Sequence, residues 1–209
     1  MTEPEALIFE KVSVGDGSVI GAWVILGEPP RGYVAGELPT VIGQQAVIRS
    51  HSVIYAGNQI GDRFQTGHGV MVREANEIGD DVSIGTHSII EHHVKIGPQV
   101  RIHSNVFIPE YSIIEAGAWI GPNVVFTNAL YPLSRDAKKT LTGPHVLAGA
   151  IIGANATLLP GVVVGRNALV GAGAVVVDDV PDNMVVVGNP ARVIKPVTAI
   201  EAYQLTNLS

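Results

Sequence analysis

A six-residue period runs through most of this chain. From Ile42 the marks fall on Ile42, Ile48, Ile54, Ile60, Thr66, Val72, Ile78, Ile84, Ile90, Ile96, Ile102, Ile108, Ile114, Ile120 and Phe126, and all but Thr66 are apolar. The frame also holds at Val14, Ile20 and Leu26, and it returns at Ile152, Leu158, Val164, Val170 and Val176. Gly often follows the mark, as at Gly43, Gly61, Gly79, Gly85, Gly97 and Gly121. Small or branched residues such as Ala46, Ser52, Ser88, Val94 and Ala118 stand four places on. A period of six fits neither a helix nor an alternating strand. It fits a short strand and a bend, repeated, with Gly or Asn relaxing the bend. Stacked hexads then form parallel strands with rungs roughly 4.8 Å apart.

Such a solenoid has a narrow interior, and the composition agrees. Hydrophobic residues make up 46% of the 209, yet aromatics only 5%, and Gly numbers 24. Each buried Ile contributes about 1.5–3 kcal/mol. The chain has no cysteine, which excludes disulfides, thiolate metal sites and a cysteine nucleophile. A net charge of −6 and the lack of any basic run give no expectation of nucleic acid or an anionic membrane. The start, "MTEPEALIFE", has no basic region followed by an apolar run, and no stretch is long enough to span a bilayer. A cytoplasmic protein is the expectation.

The frame breaks twice, at "GEPPRGYVAGELPT" (27–40) and at "NALYPLSRDAKKTLTGPHVLAGA" (128–150). Solenoids place insertions as loops on one face, often the binding face. The expected organisation is therefore one β-helix domain over 1–195, with loop insertions at about 27–41 and 128–150. "AIEAYQLTNLS", within a tail over 196–209, is expected to form a short helix capping the open end.

On these repeats the chain resembles the hexapeptide-repeat acyltransferases. The resemblance covers residues 12–195 and implies an all-β, left-handed parallel β-helix of three hexads, eighteen residues, per coil. The general handedness rule for parallel crossovers would favour the opposite hand. "NVFIPEYSIIEAGAWIGPNVVFTN" (105–128) followed by Pro132 is more specific. Its Asn105-Val106, Glu110, Ile114-Glu115, Gly121-Pro122 and Val125-Phe126-Thr127-Asn128 resemble, in order and spacing, the nucleotide-linked amino-sugar N-acyltransferases. "DDVPDNMVVVGNPARVIKP" resembles the segment that closes the helix beside coenzyme A in these enzymes.

The resemblance implies acetyl-CoA as co-substrate, no metal, a homotrimer with sites shared between chains, and an amino sugar on a nucleotide as acceptor. With eighteen-residue coils, residues eighteen apart stack. One column is then His51, Gly69, His87, Asn105 and Asn123; a second is Glu74, His92, Glu110 and Asn128; Ser104 lies beneath Pro122. Both main columns are expected beside the second loop, sharing one crevice there. His92 between Glu74 and Glu110 would have its protonated form favoured. Acyl transfer to an amine needs a base, oxyanion donors and the two substrates held together. His103 or His87 is the expected base, with Asn105 positioning it or the sugar. Glu110, Glu115, Thr127 and Asn128 are expected at the sugar or the loop. For coenzyme A, Gly153, Gly171 and Ala172 are expected along the pantetheine arm, and Arg166, Arg192 and Lys195 at the phosphates. His68 is a further polar turn residue, while His93 and His145 read as structural or solvent-facing.

Other classes stay open. His51, His87 and His92 have the spacing of the zinc ligands of γ-type carbonic anhydrases, which use the same coil, although they sit at later hexad positions. O-acetylation of a sugar hydroxyl, transfer to another small amine, and a non-catalytic ligand-binding scaffold are the remaining readings.

Overall fold

A computed structural model of the protein describes residues 5–204. It is a three-sided, left-handed parallel β-helix of two- to five-residue strands. Among the described residues nine strands form one face (A), eight the second (B) and ten the third (C). The chain visits A, B and C in turn. Met71–Val72, Glu77–Ile78 and Ser83–Ile84 pair with Ile89–Ile90, Lys95–Ile96 and Arg101–Ile102, each 18 residues on. The eighteen-residue coil is thereby confirmed.

The hexad marks point inward. Ile48, Ile54, Ile84, Ile90, Ile102, Ile108, Ile114 and Ile120 are fully buried in one continuous core with Phe64 and Phe126. Between faces the chain must turn sharply, and a residue with positive φ recurs at each corner. Asn and Gly adopt this backbone most easily. Buried polar residues serve the same turns: Asn58 Oδ1 accepts from the Asn76 N–H at 3.0 Å, and Asn76 Oδ1 from the Val94 N–H at 2.7 Å. Thr66, the one polar mark, accepts the Arg49 N–H at 2.9 Å.

Both loop insertions are smaller than expected. Ile25–Glu28 and Thr40–Ile42 are strands, so the first excursion covers 29–39. The second ends before His145–Val146, which pairs with Ile113–Ile114. Val146 is the missed mark, one hexad before Ile152, disguised by the polar His145 on its outward side. The far end is closed by an antiparallel pair, Met184–Val187 with Arg192–Pro196. Of the expected terminal helix only Glu201–Gln204 is seen, because the rest of that segment lies outside the described residues. No helix among the described residues is long and apolar enough to cross a membrane.

Candidate active site

The predicted columns exist, but they stand on different corners of the prism. The C–A corner carries His51, Gly69, His87, Asn105 and Asn123, all at positive φ. Backbone bonds tie the rungs: His87 N donates to His68 O, Asn105 N to Thr86 O, and Asn123 N to Ser104 O. Their left-handed backbone alone selects Asn and Gly. His87 lies against Gly69, where a Cβ would come 2.6 Å from its Cδ2.

His103 occupies a different column of this corner, that of Gly21, Arg49, Gly67, Gly85, Gly121, Gly153 and Gly171. Glycine is needed there because the next rung's backbone lies so close. A Cβ on Gly85 would collide with the backbone of His103 and Ser104. Arg49 and His103 are the exceptions, and between them Gly67 and Gly85 leave a groove of about 390 Å³. Arg101, His68, Thr86 and Ser104 also line it, with no Asp or Glu, in a chain of net charge −6. The His103 backbone is fixed by Ser88 Oγ, which donates to its carbonyl at 2.8 Å, and its ring lies 4.6 Å from the Trp119 ring. Burial, with Arg101 as the second cause, holds the imidazole below its ordinary pKa. It is thus set up to be neutral, with a lone pair available, near neutral pH.

The A–B corner carries the second column, and it is this corner, not C–A, from which the long loop leaves. The shared crevice is therefore corrected: the His103 and Glu110 sets lie at opposite edges of face A. Asn128 Nδ2 donates to Glu110 Oε2 at 2.6 Å, and the Thr142 N–H donates to Asn128 O at 3.0 Å, so the two ends of the loop are tied together. Thr127 Oγ1 donates to Leu158 O at 3.0 Å. His92 Nε2 lies 3.6 Å from Glu110 Oε1, but the Glu74 carboxylate is taken by Arg73 at 2.9 Å. The expected carboxylate–imidazole–carboxylate stack is thus half formed, because Arg73 is a nearer cation. His92 Nδ1 instead meets His93 Nδ1 at 2.8 Å.

Glu115 stands on the third corner, B–C, at the edge of a groove of about 1010 Å³ along face B. It faces His145 Nε2 at 3.1 Å, accepts the Ala148 N–H at 3.1 Å, and lies 3.4 Å from Arg166. His145, read from sequence as structural or solvent-facing, is thus paired with Glu115. Arg166 is held on this corner, away from Gly153, Gly171 and Ala172 on C–A. Arg192 faces Asp178 at 3.5 Å, and Lys195 sits opposite Val185 in the terminal hairpin. The three cations expected at one set of phosphates therefore do not converge within a chain. Gly153 and Gly171 are demanded by packing in any case: a Cβ on either would come within 2.7 Å of Ala172 N or Val187 Cγ1. His92 is on a different corner from His51 and His87, and no group of three His, Cys, Asp or Glu among the described residues is arranged to hold a metal.

Sequence reasoning passed over Arg49, Arg101 and Trp119. The signal was available for Arg49, which interrupts a column of glycines as His103 does.

Comparison with known proteins agrees with this architecture. Residues 77–110 and 143–178 match the family model described as Bacterial transferase hexapeptide (six repeats), and the gap between them contains the long loop. A 2,3,4,5-tetrahydropyridine-2,6-dicarboxylate N-acetyltransferase of Alkaliphilus metalliredigens is 70% identical over 47 residues, 22% of this chain and 20% of that protein. A galactoside O-acetyltransferase of Lactococcus lactis is 31% identical over 107 residues, 48% of this chain and 52% of that protein. The chain spans 20% to 59% of the length of the curated relatives it matches. LpxA from Acinetobacter baumannii shares the fold at a TM-score of 0.53 and 16% identity, over 98% of this chain and 76% of that one. Period, stacking and the two matched segments converge: this chain is wound as a left-handed β-helix of hexapeptide repeats, and 77–110 and 143–178 of it are similar to the bacterial transferase hexapeptide.

Proposed function

We propose that the protein is a CoA-dependent acyltransferase that moves an acetyl group from acetyl-CoA to the amino group of a nucleotide-linked amino sugar. The observation that carries this is His103: an imidazole held below its ordinary pKa at the end of the polar groove that it and Arg49 bound in a glycine column continuing to Gly153 and Gly171. The relatives support the reaction class, since they are named as N- and O-acetyltransferases. The order of motifs from Asn105 to Asn128 supports the amino-sugar acceptor.

The amine nitrogen attacks the thioester carbonyl, a C–N bond forms, and the tetrahedral intermediate collapses with loss of the C–S bond. His103 takes the proton released by the amine and returns it to the departing thiolate sulfur. The nearby Arg101 disfavours a second positive charge, so the acceptor is held as the neutral, nucleophilic amine. Asn105 holds the turn that aims His103. Glu110, Thr127 and Asn128 shape the loop on the far edge of face A, where a neighbouring protomer of a homotrimer would meet them. Coenzyme A runs along the late C–A coils past Gly153, Gly171 and Ala172, with Arg192 and Lys195 toward its phosphates.

The test is release of free thiol from acetyl-CoA with a panel of nucleotide-linked amino sugars, repeated with His103→Ala. Thiol release that depends on the amine and drops in the variant supports the reading; full turnover in both His103→Ala and His87→Ala overturns the base. Turnover only with the matching hydroxyl sugars selects O-acetylation, which the Lactococcus relative favours. Stoichiometric zinc without thiol release selects the anhydrase reading.

A further inference from the structure

The C–A corner carries one more anomaly, at its N-terminal end. The first left-handed position of the column is Trp23, with φ of 60° and its side chain 58% exposed. A bulky residue in this backbone region is costly and is retained where the site has a task. Its ring faces that of His51, one rung on, with centroids 6.4 Å apart and planes tilted by 33°. Two residues before His51 is Arg49, whose Nη1 donates to Thr66 O and whose side chain enters the acid-free groove. Beyond it the groove floor is Gly67 and Gly85, and its far end holds Arg101 and His103. Arg49 and Arg101 have no carboxylate partner among the described residues, unlike Arg63, Arg73, Arg166 and Arg192.

We infer that this corner is a nucleoside-diphosphate subsite: the base stacks on Trp23 and His51, the diphosphate lies between Arg49 and Arg101 over the glycine floor, and the sugar ends at His103. The dimensions agree. Trp23 to Asn105 is four rungs, roughly 19 Å, and Arg49 to His103 is three, roughly 14 Å. An extended nucleotide sugar fits along that line, its amine pointing toward the late coils. Exposed aromatic rings and guanidinium groups without a carboxylate partner on one line are what a base and a diphosphate require. The inference rests on the acyltransferase reading for the placement of the sugar, but the nucleotide subsite is tested by binding alone.

The experiment is calorimetric titration of the full chain with UDP and, separately, with inorganic pyrophosphate, both without acetyl-CoA. UDP is expected to bind at least tenfold more tightly than pyrophosphate. Trp23→Ala should weaken UDP about tenfold, in line with ~1–3 kcal/mol per stacked base, and leave pyrophosphate unchanged. Trp23→Phe, which keeps both the ring and the backbone demand, should restore most of the loss. Arg49→Ala should weaken both ligands. Unfolding temperatures check that each variant is folded. The inference falls if neither ligand binds, if folded Trp23→Ala binds UDP like the wild type, or if Arg49→Ala leaves pyrophosphate untouched. Binding as expected with no thiol release from any acceptor would keep the subsite and reject acyl transfer; thiol release without UDP binding would do the reverse.

Discussion

On the proposed reading the chemistry turns on His103, and its charge state gives the sharpest test. Burial first, and Arg101 second, hold its pKa below the ordinary value of 6.5. As a base it works neutral, so kcat/KM should be level above pH 6.5 and fall only as pH drops through the lowered pKa. Arg101→Ala removes one of the two causes and should move that acid limb upward, though not past 6.5, because burial remains. The same shift has a stability sign. Below pH 6.5 the unfolded chain binds a proton that the fold resists, so this term is lost as pH falls from 6.5 through the folded pKa. His103→Ala should lower kcat by ~10²-fold or more, read as thiol release. A pH profile that stays put in Arg101→Ala would remove His103 from the role. The sequence nominated His103 as a base together with His87, but it did not show the burial and the Arg101 neighbour that lower its pKa. Eighteen-residue spacing already places glycines above and below it and gives Arg49 the same exception; the structure adds the groove that the two residues bound.

At the level of strands and corners, the period-six pattern specified most of the architecture. The marks are the core residues, and eighteen-residue spacing gives the vertical neighbours, as the Met71–Ile89 and Ser83–Arg101 pairs show. Ile102→Ala, in the middle of the stack, should cost about 2–5 kcal/mol, visible as a lowered denaturation midpoint. What the spacing did not convey was which columns share a corner. Asn105 and Glu110 are close in sequence, yet a whole strand, Phe107–Ile108, runs between them across face A. The excursion was also read too long, because Pro144 and His145 resemble loop residues until Val146 is seen to pair with Ile114. The structure shows instead how the loop is gripped: Glu110 and Asn128 clamp its root. Asn128→Ala should therefore weaken that root by about 1–3 kcal/mol, raising amide exchange over 129–144 while the coils keep their protection. Uniform loss of protection would show that the clamp supports the whole solenoid and not the loop.

For the whole molecule, the decisive fact is that the candidate residues occupy three corners of one prism. His103 is on C–A, Glu110 and Asn128 are on A–B, and Glu115 with His145 is on B–C, at the apolar groove of face B. A single chain cannot bring them together, because the packed core of Ile84, Ile102 and Ile120 lies between. In the proposed homotrimer, one edge of a protomer would meet a different edge of the next, so residues of two corners could share a site. The expected species sediments as three copies of the 21.9 kDa chain. Sharing of the site is a separate claim and has its own test. His103→Ala and Glu115→Gln protomers are each expected to be poorly active alone. Co-expressed in equal amounts, they form interfaces at random. If His103 and Glu115 of one site come from different chains, about a quarter of the interfaces carry both intact residues, and the mixture should regain about a quarter of wild-type thiol release. If both come from the same chain, every site in the mixture stays defective and no activity returns, whatever the mass in the centrifuge. That outcome would leave Glu115, His145 and Arg166 as a structural brace at the B–C corner and confine the chemistry to the groove around His103.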